Sequence, residues 1–160
     1  MTVTITTAYD APREIGALFT EYTDMLLRHN PDFKQYLNLQ NYEEELQHLE
    51  YKSGPPGGRL YIARCNGAAA GCIGLRKLDR ERCEMKRLYV RPEFRGQKLG
   101  GMLIEKIITD ARGIGYRQIL LDTFPFLQSA VRMYRGFGFY EIPSYNNDPM
   151  DELIYMRLDV

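Results

Sequence analysis

Residues 90–105 read VRPEFRGQKLGGMLIE, and this stretch decides the fold. Val90 closes an apolar, strand-like run, and Pro92 stops it because proline has no N–H to give to a ladder. Beyond Arg95 the apolar period changes from two to about 3.6, so that Leu99, Met102, Leu103, Ile107 and Ala111 fall on one helical face. A strand that passes through glycines into a helix makes an anion site: the first N–H groups of a helix have no partner within it, and the helix dipole adds partial positive charge. Gly96, Gly100 and Gly101 are expected to let the backbone come close to such an anion, while Arg91, Arg95 and Lys98 supply charge. Two other phosphate loops fail on spacing, since neither GxxxxGK[ST] nor GxGxxG occurs.

The rest of the chain supplies a frame for this loop. Thr2–Thr7 alternates apolar and polar residues as a strand does; a helix follows, with Asp10 as its expected cap and Ile15, Leu18, Phe19, Tyr22, Met25 and Leu26 as its stripe. Asn30-Pro31 ends that helix, and a second helix is predicted over residues 41–51. Its acidic run, Glu43, Glu44, Glu45 and Glu50, reads as a solvated face. After the turn Gly54-Pro55-Pro56-Gly57-Gly58 come three strands of a meander: Arg59–Cys65, Ala68–Leu75 and Glu81–Val90, the first two joined by Asn66-Gly67. Past the helix at residues 99–111, ended by Gly113 and Gly115, follow a strand at Arg117–Thr123, a short helix at Gln128–Gly136 and strands at Phe139–Ile142 and Leu153–Leu158. The order β-α-α-β-β-β-α-β-α-β-β predicts an α/β fold, a mixed and mostly antiparallel sheet flanked by helices, in one domain spanning residues 1–160.

Composition narrows the function. A chain of 160 residues, 44% hydrophobic and 26% charged, suits one globular domain. Lys plus Arg and Asp plus Glu number 21 each, so there is no general field to hold nucleic acid, and any anion site must be local. Residues 1–9 lack the features of a secretory signal, no apolar block is long enough for a membrane span, and the protein is read as cytoplasmic. Cys65, Cys72 and Cys83 are odd in number and lack CxxC spacing, which argues for buried reduced thiols over disulfides or zinc.

With those residues in view, RGQKLG at 95–100 resembles the R/Q-x-x-G-x-G/A signature of the GNAT superfamily of acyl-CoA-dependent N-acyltransferases, preceded by the family's V-x-P-E-x-R-G as residues 90–96. AVRMYRGFGF at 130–139 is similar to the family's A-x-x-L-Y-x-x-x-G-F, with Met133 in place of leucine. Two positions depart: Lys98 stands where the signature has its first glycine and is expected to reach helical dihedrals, and Leu127 stands where many members carry asparagine. The resemblance covers about residues 59–139. It implies that acetyl-CoA is the cosubstrate, an amine the acceptor and a homodimer the assembly. It also implies that the backbone of Leu88, Tyr89 and Val90 pairs with the pantetheine amides, and that Arg95, Gly96, Gln97, Lys98, Leu99, Gly100 and Gly101 hold the diphosphate.

The transfer needs a neutral amine and a stabilised leaving thiolate. A lysine-like amine of pKa about 10.4 must give up roughly 4 to 5 kcal/mol to be neutral at pH 7, an α-amine closer to about 1. Glu84 resembles the strand glutamate that serves as base in many members, directly or through water; the plainer reading is a surface carboxylate paired with Lys86 or Arg82. Tyr134 resembles the family tyrosine that protonates the thiolate, the alternative being a core aromatic on the stripe Ala130, Met133, Tyr134 and Phe137. A backbone N–H near Leu88 would polarise the thioester carbonyl if the strand bulges there. Cys83 beside Glu84 has no base of its own to make it a nucleophile. A competing class is a noncatalytic acyl-CoA-binding module. The acceptor is expected to be selected by residues 22–51 and by the loop Tyr145-Asn146-Asn147-Asp148-Pro149.

Overall fold

A computed structural model describes residues 2–34, 42–146 and 152–160. Asn41, and Asn147 to Pro149 of the loop named above, lie outside the described residues. The strands are β1 (Val3–Thr7), β2 (Arg59–Cys65), β3 (Ala68–Lys77), β4 (Arg82–Val90), β5 (Gln118–Thr123), β6 (Tyr140–Ile142) and β7 (Ile154–Asp159). The helices are α1 (Pro12–His29), α2 (Tyr42–Gln47), α3 (Leu49–Ser53), α4 (Leu99–Ile114) and α5 (Gln128–Gly136), with a 3-10 turn at Pro92–Phe94. The element order is the expected one, except that the second helix is split at His48 into α2 and α3.

The strands form one seven-stranded sheet in the order β1-β2-β3-β4-β5-β7-β6. Every pair is antiparallel except β4 with β5. Alternation along the strands builds two cores. Tyr61, Ala63, Ile73, Leu75, Cys83, Met85, Ile119, Leu121 and Met156 face α4, where Leu103, Ile104, Ile107, Ile108 and Ala111 close the layer. Leu60, Ile62, Cys72 and Tyr89 face the other way, onto Ile15, Leu18 and Phe19 of α1. Met102, expected on the buried stripe of α4, is 39% exposed, because the apolar arc turns through Ile104 and Ile108 instead. Asp10 does not cap α1: Ala11 holds that position with no side-chain hydrogen bond, and Pro12 opens the helix. Gly113 lies inside α4, and Gly115 ends it at φ 109. Asn66 and Gly67 take φ 50 and 87, as a tight hairpin between β2 and β3 requires.

Two features of β4 position the site. Its parallel pairing with β5 covers only Arg82, Cys83 and Glu84, opposite Gln118, Ile119 and Leu120. Past Glu84 the two strands diverge, so Met85 to Val90 present one backbone edge to the gap. On the other edge the register with β3 jumps from Cys72↔Tyr89 to Gly74↔Lys86, so Arg87 and Leu88 form a bulge with Arg87 at φ 60. The extra residue turns Lys86 and Arg87 to the same side, towards α1, and returns Leu88 to the α4 side.

Candidate active site

The gap between β4 and β5 opens as a cleft. Met85, Leu88, Thr123 and Tyr134 form one part of its wall, Lys86, Arg87 and Asp122 another, and Tyr22, Leu26, Phe33 and Phe124 the third. The bulge expected near Leu88 lies at this point, so Arg87 and Leu88 have no register partner on β3.

Tyr134 is brought to the cleft by α5. Its ring is buried and packs edge-on against Phe139 at 5.8 Å between centroids. Among the described residues its hydroxyl makes no hydrogen bond. Burial, with a lesser contribution from Tyr22 and Asp122, raises its pKa far above the ordinary phenol value. The group therefore stays protonated at any working pH. Burial likewise pushes Tyr22 up to about 12.

Glu84 lies on the same face of β4 as Lys86 but is buried, at 2% exposure, and so is not a surface carboxylate. Its Oε2 accepts the Tyr145 hydroxyl at 2.6 Å, and its Oε1 lies 3.3 Å from Arg76 and 3.7 Å from Lys86. Arg82 plays no part, being bound to Asp79 at 2.7 Å. Glu84 Oε1 and Arg76 Nε are both buried without a hydrogen-bond partner among the described residues. Asn146, next to Tyr145, donates to Asp122 at 3.3 Å and accepts from Tyr155 at 3.2 Å. The segment after β6 is thus tied to Glu84 on β4 and Asp122 on β5. Sequence order named Tyr145 and Lys86 but gave no signal for Arg76 or Asp122, which reach the site only through strand register.

The acidic run also changes meaning. Glu45 is buried and takes Arg87 at 2.7 and 3.2 Å, with Lys52 at 3.5 Å, so it is not part of a solvated face. Although burial works to raise the Glu45 pKa, Arg87 and Lys52 together hold it below the ordinary carboxylate value. Arg87 also lies over the Phe19 ring at 5.7 Å.

At the glycine-rich turn, Arg95, Gly96 and Lys98 are exposed, Gln97 partly so, and Leu99 is buried under Val90 and Phe94. Gly96 sits at φ 82, and Lys98 at φ 65 and ψ 17: Lys98 is left-handed, not helical as expected, because it stands just outside α4 at the position that starts it. No side chain caps α4, and its first internal bond runs from Met102 N–H to Lys98 C=O at 3.1 Å. The N–H groups before it remain available for an anion. One expectation changes here. Arg91 is committed to Glu21 at 2.7 to 3.2 Å and to the Ala69 carbonyl at 3.0 Å, leaving Arg95 and Lys98 as the charges at the turn. A Cβ at Gly100 would come to 3.0 Å of Met133 Cε, the flexible end of a side chain on α5. Cys65, Cys72 and Cys83 are free and buried, and burial pushes the last two up to about 12, so neither is a thiolate nucleophile.

The sequence matches the model of the acetyltransferase (GNAT) family over residues 21–139, and the chain belongs to that family. An uncharacterised N-acetyltransferase of Schizosaccharomyces pombe is 42% identical over 131 residues, covering 81% of this chain and 80% of that protein. Another from Dictyostelium discoideum is 30% identical and covers 99% of both chains. Among solved structures, the PaiA N-acetyltransferase of Thermoplasma acidophilum, crystallised with coenzyme A, superposes with a TM-score of 0.76 over 100% of both chains at 14% identity. The protein is therefore an acyltransferase with a GNAT fold. Among the described residues no helix is long and apolar enough to cross a membrane.

Proposed function

We propose that the protein moves the acetyl group of acetyl-CoA directly to a primary amine of a small molecule or peptide, working in the cytoplasm as a homodimer. The carrying observation is the coincidence, within one cleft, of the β4 bulge and the end of β4–β5 pairing, on a strand that leads directly into the glycine-rich turn and the uncapped start of α4. The β4 edge at Leu88, Tyr89 and Val90 pairs with the pantetheine amides as an added strand would, once Arg95 Nε gives up the Val90 carbonyl that it holds at 3.1 Å. Arg95, Gly96, Gln97, Lys98, Leu99, Gly100 and Gly101 take the diphosphate, through unpaired N–H groups and the exposed cations Arg95 and Lys98. Acetyl-CoA supplies the activated carbonyl. The Leu88 N–H, released by the bulge, donates to the carbonyl oxygen as negative charge builds there, and the amine nitrogen bonds to carbon as the C–S bond breaks. Glu84, buried below the cleft wall, takes the amine proton through water; Tyr134, held protonated, donates a hydrogen bond to the departing thiolate, which leaves as such or takes up a proton from solvent.

Incubating the protein with acetyl-CoA and a panel of amines tests this: coenzyme A thiol appears only when an amine is present, and acetyl-CoA alone raises the melting temperature. Absence of both effects overturns the reading. Light scattering across a concentration series gives a dimer mass if the assembly is as proposed, and fractionation of the source cell recovers the protein with the cytoplasm.

A further inference from the structure

Lys86 is a charged group in the cleft that the transfer steps do not use. The bulge turns it with Arg87 towards α1, yet the two differ in partners. Arg87 is hydrogen-bonded to Glu45 twice, at 2.7 and 3.2 Å. Lys86 Nζ has Glu84 Oε1 at 3.7 Å, outside hydrogen-bond range, and no hydrogen bond among the described residues. Glu84 Oε2 takes the Tyr145 hydroxyl, and Oε1, 3.3 Å from Arg76, has no hydrogen bond among the described residues. The ammonium thus keeps its donors while being largely withdrawn from water, and burial lowers its pKa although Glu84 and Asp122 oppose that shift. A buried, underused cation of this kind is stabilised by an incoming anion.

Across the cleft the wall is apolar: Tyr22, Leu26, Phe33 and Phe124, with Phe33 and Phe124 edge to face at 5.4 Å. Asp122, on the Lys86 side, adds a negative charge to the cleft while accepting from Asn146 at 3.3 Å. Cation, carboxylate and apolar wall in one cleft match a molecule that carries the reverse set. We propose that the acceptor is an amino acid with an apolar side chain, of the leucine or phenylalanine type, whose carboxylate is held by Lys86 while its amine faces the thioester. This rests on the cleft being the acceptor side of the transferase proposed above. A polyamine fits less well, since it would bring a second ammonium towards that of Lys86.

The test compares amines that differ only in the carboxylate: L-phenylalanine against phenethylamine and phenylalanine amide, and L-leucine against isopentylamine, by coenzyme A release. In the unmodified protein the carboxylate form is expected to have a kcat/KM roughly tenfold or more higher, the worth of one charge-assisted hydrogen bond. Lys86→Gln should lose that preference through KM with kcat little changed, and Lys86→Arg should retain most of it. Equal or better use of the amines lacking a carboxylate by the unmodified protein overturns the proposal, whatever the variants do. So does acetylation of Lys86 itself by acetyl-CoA alone, seen by peptide mass spectrometry, or turnover of neither set while acetyl-CoA still gives thermal protection. If acetyl-CoA gives no protection either, the transferase reading falls with it.

Discussion

Replacing Tyr134 by Phe removes one oxygen and nothing else, and the surroundings of that oxygen set the expected size of each effect. The ring is buried against Phe139, and the hydroxyl makes no hydrogen bond among the described residues. Phe retains the packing and leaves no polar partner stranded, so the stability change should stay within about 0.5 kcal/mol. For a chain of this length that is a shift in melting temperature of roughly 2 °C or less. The kinetic effect should be far larger. Loss of a positioned donor to the departing thiolate slows transfer by roughly 10²- to 10⁴-fold, or about 2.7 to 5.4 kcal/mol in barrier. Acetyl-CoA affinity, set by the β4 edge and the α4 turn, should hardly move. The assay pairs single-turnover acetyl transfer with a calorimetric titration of acetyl-CoA and a melting curve. Since burial raises the Tyr134 pKa, its donor form persists through neutral and mildly alkaline pH, and no loss of rate up to about pH 9 should trace to this residue. Unchanged turnover in the variant would make the ring a core aromatic and nothing more. A large loss of stability would show that the hydroxyl has a structural partner.

Lys98→Gly should raise stability by about 0.5 to 1 kcal/mol, read by urea unfolding, because a side chain at φ 65 is strained where glycine is not; it should also weaken acetyl-CoA binding, because one of the two exposed cations at the turn is lost. Glu84→Gln should cost about 1 to 3 kcal/mol in melting experiments, a figure reduced because Arg76 is one-third exposed, and it should slow transfer to high-pKa amines more than to α-amines; equal slowing of both would remove Glu84 as the base. The Glu45 pKa is lower in the folded than in the unfolded chain, so its contribution to stability is complete above the ordinary value of 4.5 and fades as acid is added below it. Unfolding free energy measured from pH 7 to pH 3 should therefore fall more steeply for the natural chain than for Glu45→Gln.

Much of this was legible in residue order. The hairpin at Asn66-Gly67, the meander and the helix after Gly96 follow from local turn chemistry and period, which depend on neighbours a few positions apart. The place of the β4 bulge was not legible in this way: the family resemblance asked for a free N–H near Leu88, and no local pattern marks the extra residue. The surroundings of Glu84 were not legible: its contacts come from Arg76 on β3 and Tyr145 beyond β6, and no local pattern fixes how those segments register. The same holds for Glu45. Four acidic residues in a helical stretch resemble a wet face until Arg87, displaced by an extra residue in its strand, is found beneath them. Lys98 was misread because a helix start and a helix interior look alike in sequence, and only the dihedral separates them.

Three rungs of parallel pairing between β4 and β5 have a kinetic corollary. If the coenzyme lies along α4 and the amine along α1 as proposed, the fork in the sheet lets the two reactants reach the thioester from opposite faces. Neither has to vacate its position before the other arrives. Steady-state double-reciprocal plots should then intersect instead of running parallel, and labelled coenzyme A should not exchange into acetyl-CoA unless an acceptor is in place.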